Sequence, residues 1–296
     1  MDVIIVMCLG VLVGKFLSPV RWKRINEILQ TVCTVLLIFS MGVMLGSRED
    51  FVREITVLGS HSIIFFLIPS VFSVIAVYPL TRIFLEKKKK EGGGRMMLCL
   101  AVIALAGGIA CGMAGLDETP LVQSITANRD YILYILMFLV GISIGLSKGI
   151  VSKIREYHVR IFVIPVGIIA GSLAGGIVSG LITGLPLDQS TAIAAGMGWY
   201  SLSGVTIGNL AGAQAGSIAF LSNLLREIFS FFSIPVIAKK LNYYTCIAPA
   251  GATSEDTTLP MMIRYTDGET VVLSVFNGVI CSAAVPFLIS FCYNFF

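Results

Sequence analysis

Residues 194–204 read AAGMGWYSLSG, and residues 248–260 read APAGATSEDTTLP. Neither is an ordinary membrane helix. Gly196, Gly198 and Gly204 allow the first to unwind, and Pro249 and Pro260 bracket a run of hydroxyls and acids in the second. Both nevertheless lie among long apolar runs. Irregular backbone is tolerated at membrane depth only where protein or a water-filled cavity satisfies its polar groups. Two such segments therefore imply a polar cavity inside a membrane-embedded fold.

The rest of the chain supplies that fold. Of 296 residues 56% are hydrophobic and 13% charged, and the mean hydropathy is +0.91. The charge is about half of what a soluble domain usually carries. A bilayer crossing needs about 20 apolar residues, and crossings are expected at 2–17, 27–46, 57–84, 96–115, 131–147, 159–184, 215–238 and 270–292. The first run follows Asp2 and lacks a small-residue cleavage site, so it reads as a retained helix. The fold class is thus an all-α integral membrane protein with about eight transmembrane helices. Two interrupted segments, 188–212 and 243–266, complete it as re-entrant or broken helices.

Charge chooses between those two forms, because cytoplasmic loops collect Lys and Arg. If both interrupted segments return to the side they left, seventeen of the 21 basic residues fall on one face. These are Lys15, Arg21, Lys23, Arg24, Arg82, Lys87 to Lys90, Arg95, Lys148, Lys153, Arg155, Arg160, Lys239, Lys240 and Arg264. Opposite them lie Arg48, Arg53 and Arg129, with Arg226 inside a crossing. The re-entrant form is preferred, with both termini external; a broken spanning helix at both places is the alternative. Basic residues confined to short loops do not form a nucleic-acid surface. Seven separate cysteines, without CxxC or His-rich spacing, read as buried small hydrophobes, with no metal site and no cofactor.

The chain also repeats itself. Leu37, Gly42 and Gly46 recur as Leu136, Gly141 and Gly145; Gly10 and Gly14 recur as Gly108 and Gly112; Pro69 matches Pro165. Residues 1–184 therefore read as two three-helix copies, 1–85 and 95–184, inverted because three crossings is an odd number. A weaker match pairs Gly198 and Ser201 with Gly251 and Ser254, Leu221 and Ser222 with Leu273 and Ser274, and Pro235 with Pro286. Residues 185–296 would then be a transport core within the same membrane domain.

Chemistry concentrates in that core. The first segment offers Gly198, Tyr200, Ser201 and Ser203, and the second offers Thr253, Ser254, Asp256, Thr257 and Thr258. Free amides at a half-helix N-terminus in the second segment would suit a substrate carboxylate. Arg226 and Glu227 lie near the middle of a crossing, where a charge costs about 2.5–3.5 kcal/mol and so marks a pathway, a relay or a structural ion pair. Adjacent helix positions do not face each other, so one can anchor the helix while the other lines the cavity. Asn223 and Asn277 extend that polar face. Glu49 and Asp50 close the second crossing as a gate or as a solvated helix end. His61 and His158 read as boundary residues, Trp22 as an interface anchor and Trp199 as cavity lining.

The motifs GMGWYSLSG, LLREI and PAGATSEDTTLP, in that order, together with the N-terminal MGVMLG, resemble the LysO-type lysine exporter family over essentially the whole chain. The resemblance implies a bacterial inner-membrane protein that moves L-lysine and its toxic analogues outward in exchange for protons. It points to Glu227 in the LLREI run and to an acid closing the second crossing, Glu49 or Asp50. One proton entering per lysine leaving keeps the exchange electroneutral, and a carboxylate that binds either cation enforces it. The partners are then L-lysine, protons and the lipid bilayer; a homodimer is compatible with the sequence. The competing transport reading is a sodium-coupled carrier of an organic anion or amino acid, with Arg226 binding substrate and Asp256 and the threonines binding sodium. An intramembrane hydrolase finds no HExxH and no intramembrane aspartate pair, so no enzyme activity is expected.

Overall fold

The computed structural model describes residues 2–16, 23–47, 59–85, 95–146 and 161–296. Among them are thirteen α-helices and no strand. These are α1 (Asp2–Phe16), α2 (Lys23–Gly46), α3 (Gly59–Phe84), α4 (Arg95–Met113), α5 (Pro120–Ala127), α6 (Arg129–Leu146) and α7 (Val163–Thr183). Then come α8 (Leu187–Ala194), α9 (Tyr200–Ala211), α10 (Ala213–Lys240), α11 (Ile247–Ala250), α12 (Leu259–Tyr265) and α13 (Gly268–Phe295). Six of them, α2, α3, α6, α7, α10 and α13, are long and apolar enough to cross a membrane. Two shorter apolar stretches, Ile5–Phe16 and Cys99–Met113, coincide with the remaining expected crossings.

The chain forms two compact units, Met1–Phe51 with Gly93–Lys153, and Val52–Gly92 with Ile154–Phe296. The grouping does not follow the boundary at 184, because α3 and α7 pack within the second unit.

In the first unit α1 packs on α6 and α2 on α4. A Cβ on Gly10 would lie 2.2 Å from Phe138 O, and one on Gly141 would lie 2.2 Å from Met7 O. Likewise one on Gly108 would lie 2.2 Å from Phe39 O, and one on Gly42 2.5 Å from Leu105 O. Small residues let membrane helices approach backbone to backbone, and the residues that matched in sequence make these two contacts reciprocally. Asn26 and Gln30 on α2 reinforce the unit, each donating to Leu139 O and Ser143 Oγ on α6.

In the second unit α3 and α7 run antiparallel, with Pro69 against Gly175, Ser73 against Gly171 and Val77 against Gly167. At the end where α7 stops, Gly184 turns the chain in a left-handed conformation (φ 76°). There α8 doubles back along α7, placing Ser190 on Gly180 and Ala194 on Gly176. After the break α9 returns to the same end, since Tyr293 in the last turns of α13 donates to Leu210 O and α8 also packs along α13. Then α10 crosses to the opposite end, where Asn242 donates to Thr81 Oγ1 near the C-terminus of α3. From that end the second interrupted segment enters, and to it α12 returns; Tyr244 at its start hydrogen-bonds Glu269 in the first turn of α13. Each interrupted segment is therefore a hairpin whose two limbs share one end of the unit, and the two hairpins enter from opposite ends.

Candidate functional site

The hairpin tips meet near the middle of the second unit. In the first hairpin the helix breaks at Met197 (φ 47°) and Gly198 (φ 99°); in the second it breaks at Gly251 (φ 59°). A non-glycine residue at positive φ is uncommon and held only by its surroundings. Here Met197 O accepts the Ala252 N–H at 2.9 Å. A Cβ on Gly251 would lie 2.3 Å from that same oxygen, so glycine is needed for both its conformation and its size.

An asparagine from the following long helix pins each tip. Asn223 on α10 accepts the Gly198 N–H at 2.8 Å and donates to Ile193 O and Ala219 O. Asn277 on α13 donates to Gly251 O and Ser254 Oγ, both at 2.9 Å. Ser254 and Ser274 close a reciprocal pair, each hydroxyl donating to the other's carbonyl. These side chains replace backbone bonds that a broken helix forfeits.

Arg226 is 2% exposed. Its Nε donates to Pro249 O, Nη1 to Ser172 Oγ, and Nη2 to Ser73 Oγ and Ala248 O. All four acceptors are neutral. The guanidinium thus sits on carbonyls left open where α11 stops at Gly251, the place where a helix end favours a cation. Through these neutral acceptors it fastens α10 to the α3–α7 crossing and to the second hairpin.

Glu227 is 1% exposed and faces elsewhere on α10, accepting a short hydrogen bond from Thr257 Oγ1. Thr257 Oγ1 also lies 3.3 Å from Asp256 Oδ1. One hydroxyl from the second hairpin therefore stands between two carboxylates. Glu255 is the third acid of the cluster: Ser282 Oγ on α13 lies 2.9 Å from its Oε1 and 3.4 Å from Ala252 O.

Of the remaining candidates, Thr253 and Thr258 serve the hairpin itself, donating to Ala250 O and Thr253 O. Tyr200 is buried edge-on against Phe220, and Ser203 donates to Trp199 O, while Ser201 is exposed at the start of α9. The amides expected to be free in the second segment are engaged. Thr257 N–H donates to Asp256 Oδ1, Thr258 N–H to Thr253 O and Leu259 N–H to Asp256 O, because tight turns close over them. Glu49 and Asp50 lie outside the described residues.

Glu255, Ser282, Ser73 and Ser172 were missed in the sequence. Glu255 stands in the quoted TSED run beside Asp256 and carried the same signal. Ser73 and Ser172 are 99 residues apart, the same offset as Leu37 to Leu136, so the repeat could have singled them out.

The family described as Lysine exporter LysO matches residues 102–293. The chain is similar to the lysine exporter LysO of Escherichia coli (strain K12), 29% identical over 296 residues that cover 97% of this chain and 98% of that protein. It is similar also to a putative lysine exporter of Haemophilus influenzae, 37% identical over 111 residues, or 38% of this chain and 56% of that one. No solved structure matches.

Proposed function

Because the chain belongs to the lysine exporter LysO family, we propose that it carries L-lysine and lysine analogues out of the bacterial cytoplasm across the inner membrane, in exchange for protons. The observation that carries this reading is the Thr257 hydroxyl standing between Glu227 and Asp256 at the tip of the second hairpin. Two carboxylates with a hydroxyl suit an ammonium group, which brings three donors and a positive charge. The exposed Ser201 at the start of α9 is the candidate contact for the substrate's carboxylate, at a helix end that favours anions.

Coupling follows from charge. A cation leaving a cell that is negative inside climbs about 2.3 kcal/mol per 100 mV. One proton inward per lysine outward removes that electrical term. Glu227 is the candidate carrier, binding a proton or an ammonium but not both. Glu49 or Asp50 would be a further relay.

Basic residues orient the unit. Arg82, Lys239, Lys240 and Arg264 belong to the end from which the second hairpin enters, so that end is assigned to the cytoplasm. The first hairpin and the C-terminus then face outward, as does the N-terminus on the same rule. Opposed hairpins and reciprocal glycine contacts support two inverted repeats.

The test is lysine efflux from loaded proteoliposomes, with and without an inward proton gradient and with sodium replaced by choline. Efflux accelerated by the gradient is expected. Gradient-independent efflux that requires sodium would overturn proton exchange, and no lysine movement would overturn the substrate.

A further inference from the structure

Glu255 is a half-buried acid for which the exchange just described has no role. The second hairpin packs it against the middle of α13, so closely that a Cβ on Gly278 would stand 2.4 Å from Glu255 Cβ and 2.5 Å from its amide nitrogen. Its Oε2 is buried without a hydrogen-bond partner among the described residues. Leaving an ionised oxygen in that condition is costly, whereas a neutral carboxyl tolerates it far better.

Ser282 points the same way. Its oxygen lies between Glu255 Oε1 at 2.9 Å and Ala252 O at 3.4 Å. The carbonyl can only accept, and a serine has one hydrogen to donate. The two contacts are separate two-centre hydrogen bonds only if Glu255 carries a proton, so that Glu255 Oε1–H donates to Ser282 Oγ and Ser282 Oγ–H donates to Ala252 O; without it, the single serine hydrogen is shared between the two oxygens. When that proton leaves, the charged carboxylate draws the serine hydrogen away from Ala252 O. Ala252 is the residue whose amide holds Met197 of the other hairpin.

We infer that Glu255 is a proton-binding site of this protein, protonated in the conformation described, whose deprotonation transfers the Ser282 hydrogen bond from Ala252 to Glu255 and so acts on the contact between the hairpin tips. Among the described residues, its charged and titratable surroundings are Asp256, adjacent in the same hairpin, and Cys281 on α13, which lies within electrostatic reach of both Glu255 and Arg226. The inference deepens the proton-exchange reading and rests on it for its physiological meaning.

Infrared difference spectroscopy of the full chain in lipid, between acid and alkaline pH and without lysine, tests the site directly. A protonated-carboxyl C=O band is expected in the wild type, lost in Glu255→Gln and kept in Asp256→Asn. Ser282→Ala removes the acceptor and should move the band to higher frequency without abolishing it; this variant also serves if Glu255→Gln folds poorly. A band unaffected by Glu255→Gln, or unmoved by Ser282→Ala, overturns the inference. Lysine plays no part in these spectra, so their failure leaves lysine export standing. Failed export in proteoliposomes would equally leave a positive spectrum intact.

Discussion

The amide of Ala252 donates to the carbonyl of Met197 across 2.9 Å, joining two hairpins that enter the unit from opposite ends. No side chain mediates that bond. With Gly251 pressed on the same carbonyl, the contact has little slack: a displacement of either tip breaks a buried hydrogen bond worth about 1 kcal/mol, or about 1–3 if a group is left unsatisfied.

Gly251→Ala is accordingly expected to destabilise the protein by roughly 1–3 kcal/mol, since it combines a clash with Met197 O and a positive φ. Asn223→Ala should be destabilising by a similar amount, leaving the Gly198 amide without its acceptor. Thermal unfolding in detergent measures both. A Tm unchanged in either variant would show that the crossing is not what holds the tips.

Glu227→Gln should abolish gradient-driven lysine efflux per folded molecule, because glutamine keeps the shape but cannot exchange a proton for an ammonium group. Glu227→Asp should retain part of it. Thr257→Val removes the bridging hydroxyl and is expected to weaken lysine binding by roughly tenfold, the worth of about 1.4 kcal/mol. Binding by calorimetry and efflux in proteoliposomes separate the effects; wild-type pH dependence in Glu227→Gln would exclude it as the coupling group.

Arg226→Gln is predicted to lower the yield of folded protein far more than efflux per folded molecule. Its bonds to Pro249, Ala248, Ser172 and Ser73 are structural, and charged hydrogen bonds are worth about 1.5–3 kcal/mol each. Arg226→Lys should rescue little, because an ammonium cannot reproduce the planar fork. Full stability with lost lysine binding would instead place Arg226 against substrate.

Topology can be read with reporters active only outside the cytoplasm. Fusions after Leu187 and at the C-terminus should be active, and fusions after Lys90 and Lys240 silent. In a cysteine-free background, Ser201→Cys should react from outside with a membrane-impermeant thiol reagent. An active Lys240 fusion with a silent C-terminal one would reverse the assignment of the two ends.

What could be read in the sequence was what is encoded locally. Runs of apolar residues located the long helices, and Gly198 and Pro249 marked the neighbourhoods where helices break, because hydropathy and backbone freedom belong to a residue and its neighbours. The glycines that recur along the chain are the ones at the close crossings Gly10 to Gly141 and Gly42 to Gly108, but which of them meet was not readable from the repeat. Tertiary structure alone decided which polar group meets which. Nothing near Arg226 in the chain names Ser73 or Ala248 as its acceptors, and nothing near Glu255 names Ser282, 27 residues away. Nor did the sequence show that the second hairpin's amides are bonded within their own turns. A hydrogen bond is fixed by position within a few tenths of an ångström, and those positions exist only once distant helices have packed.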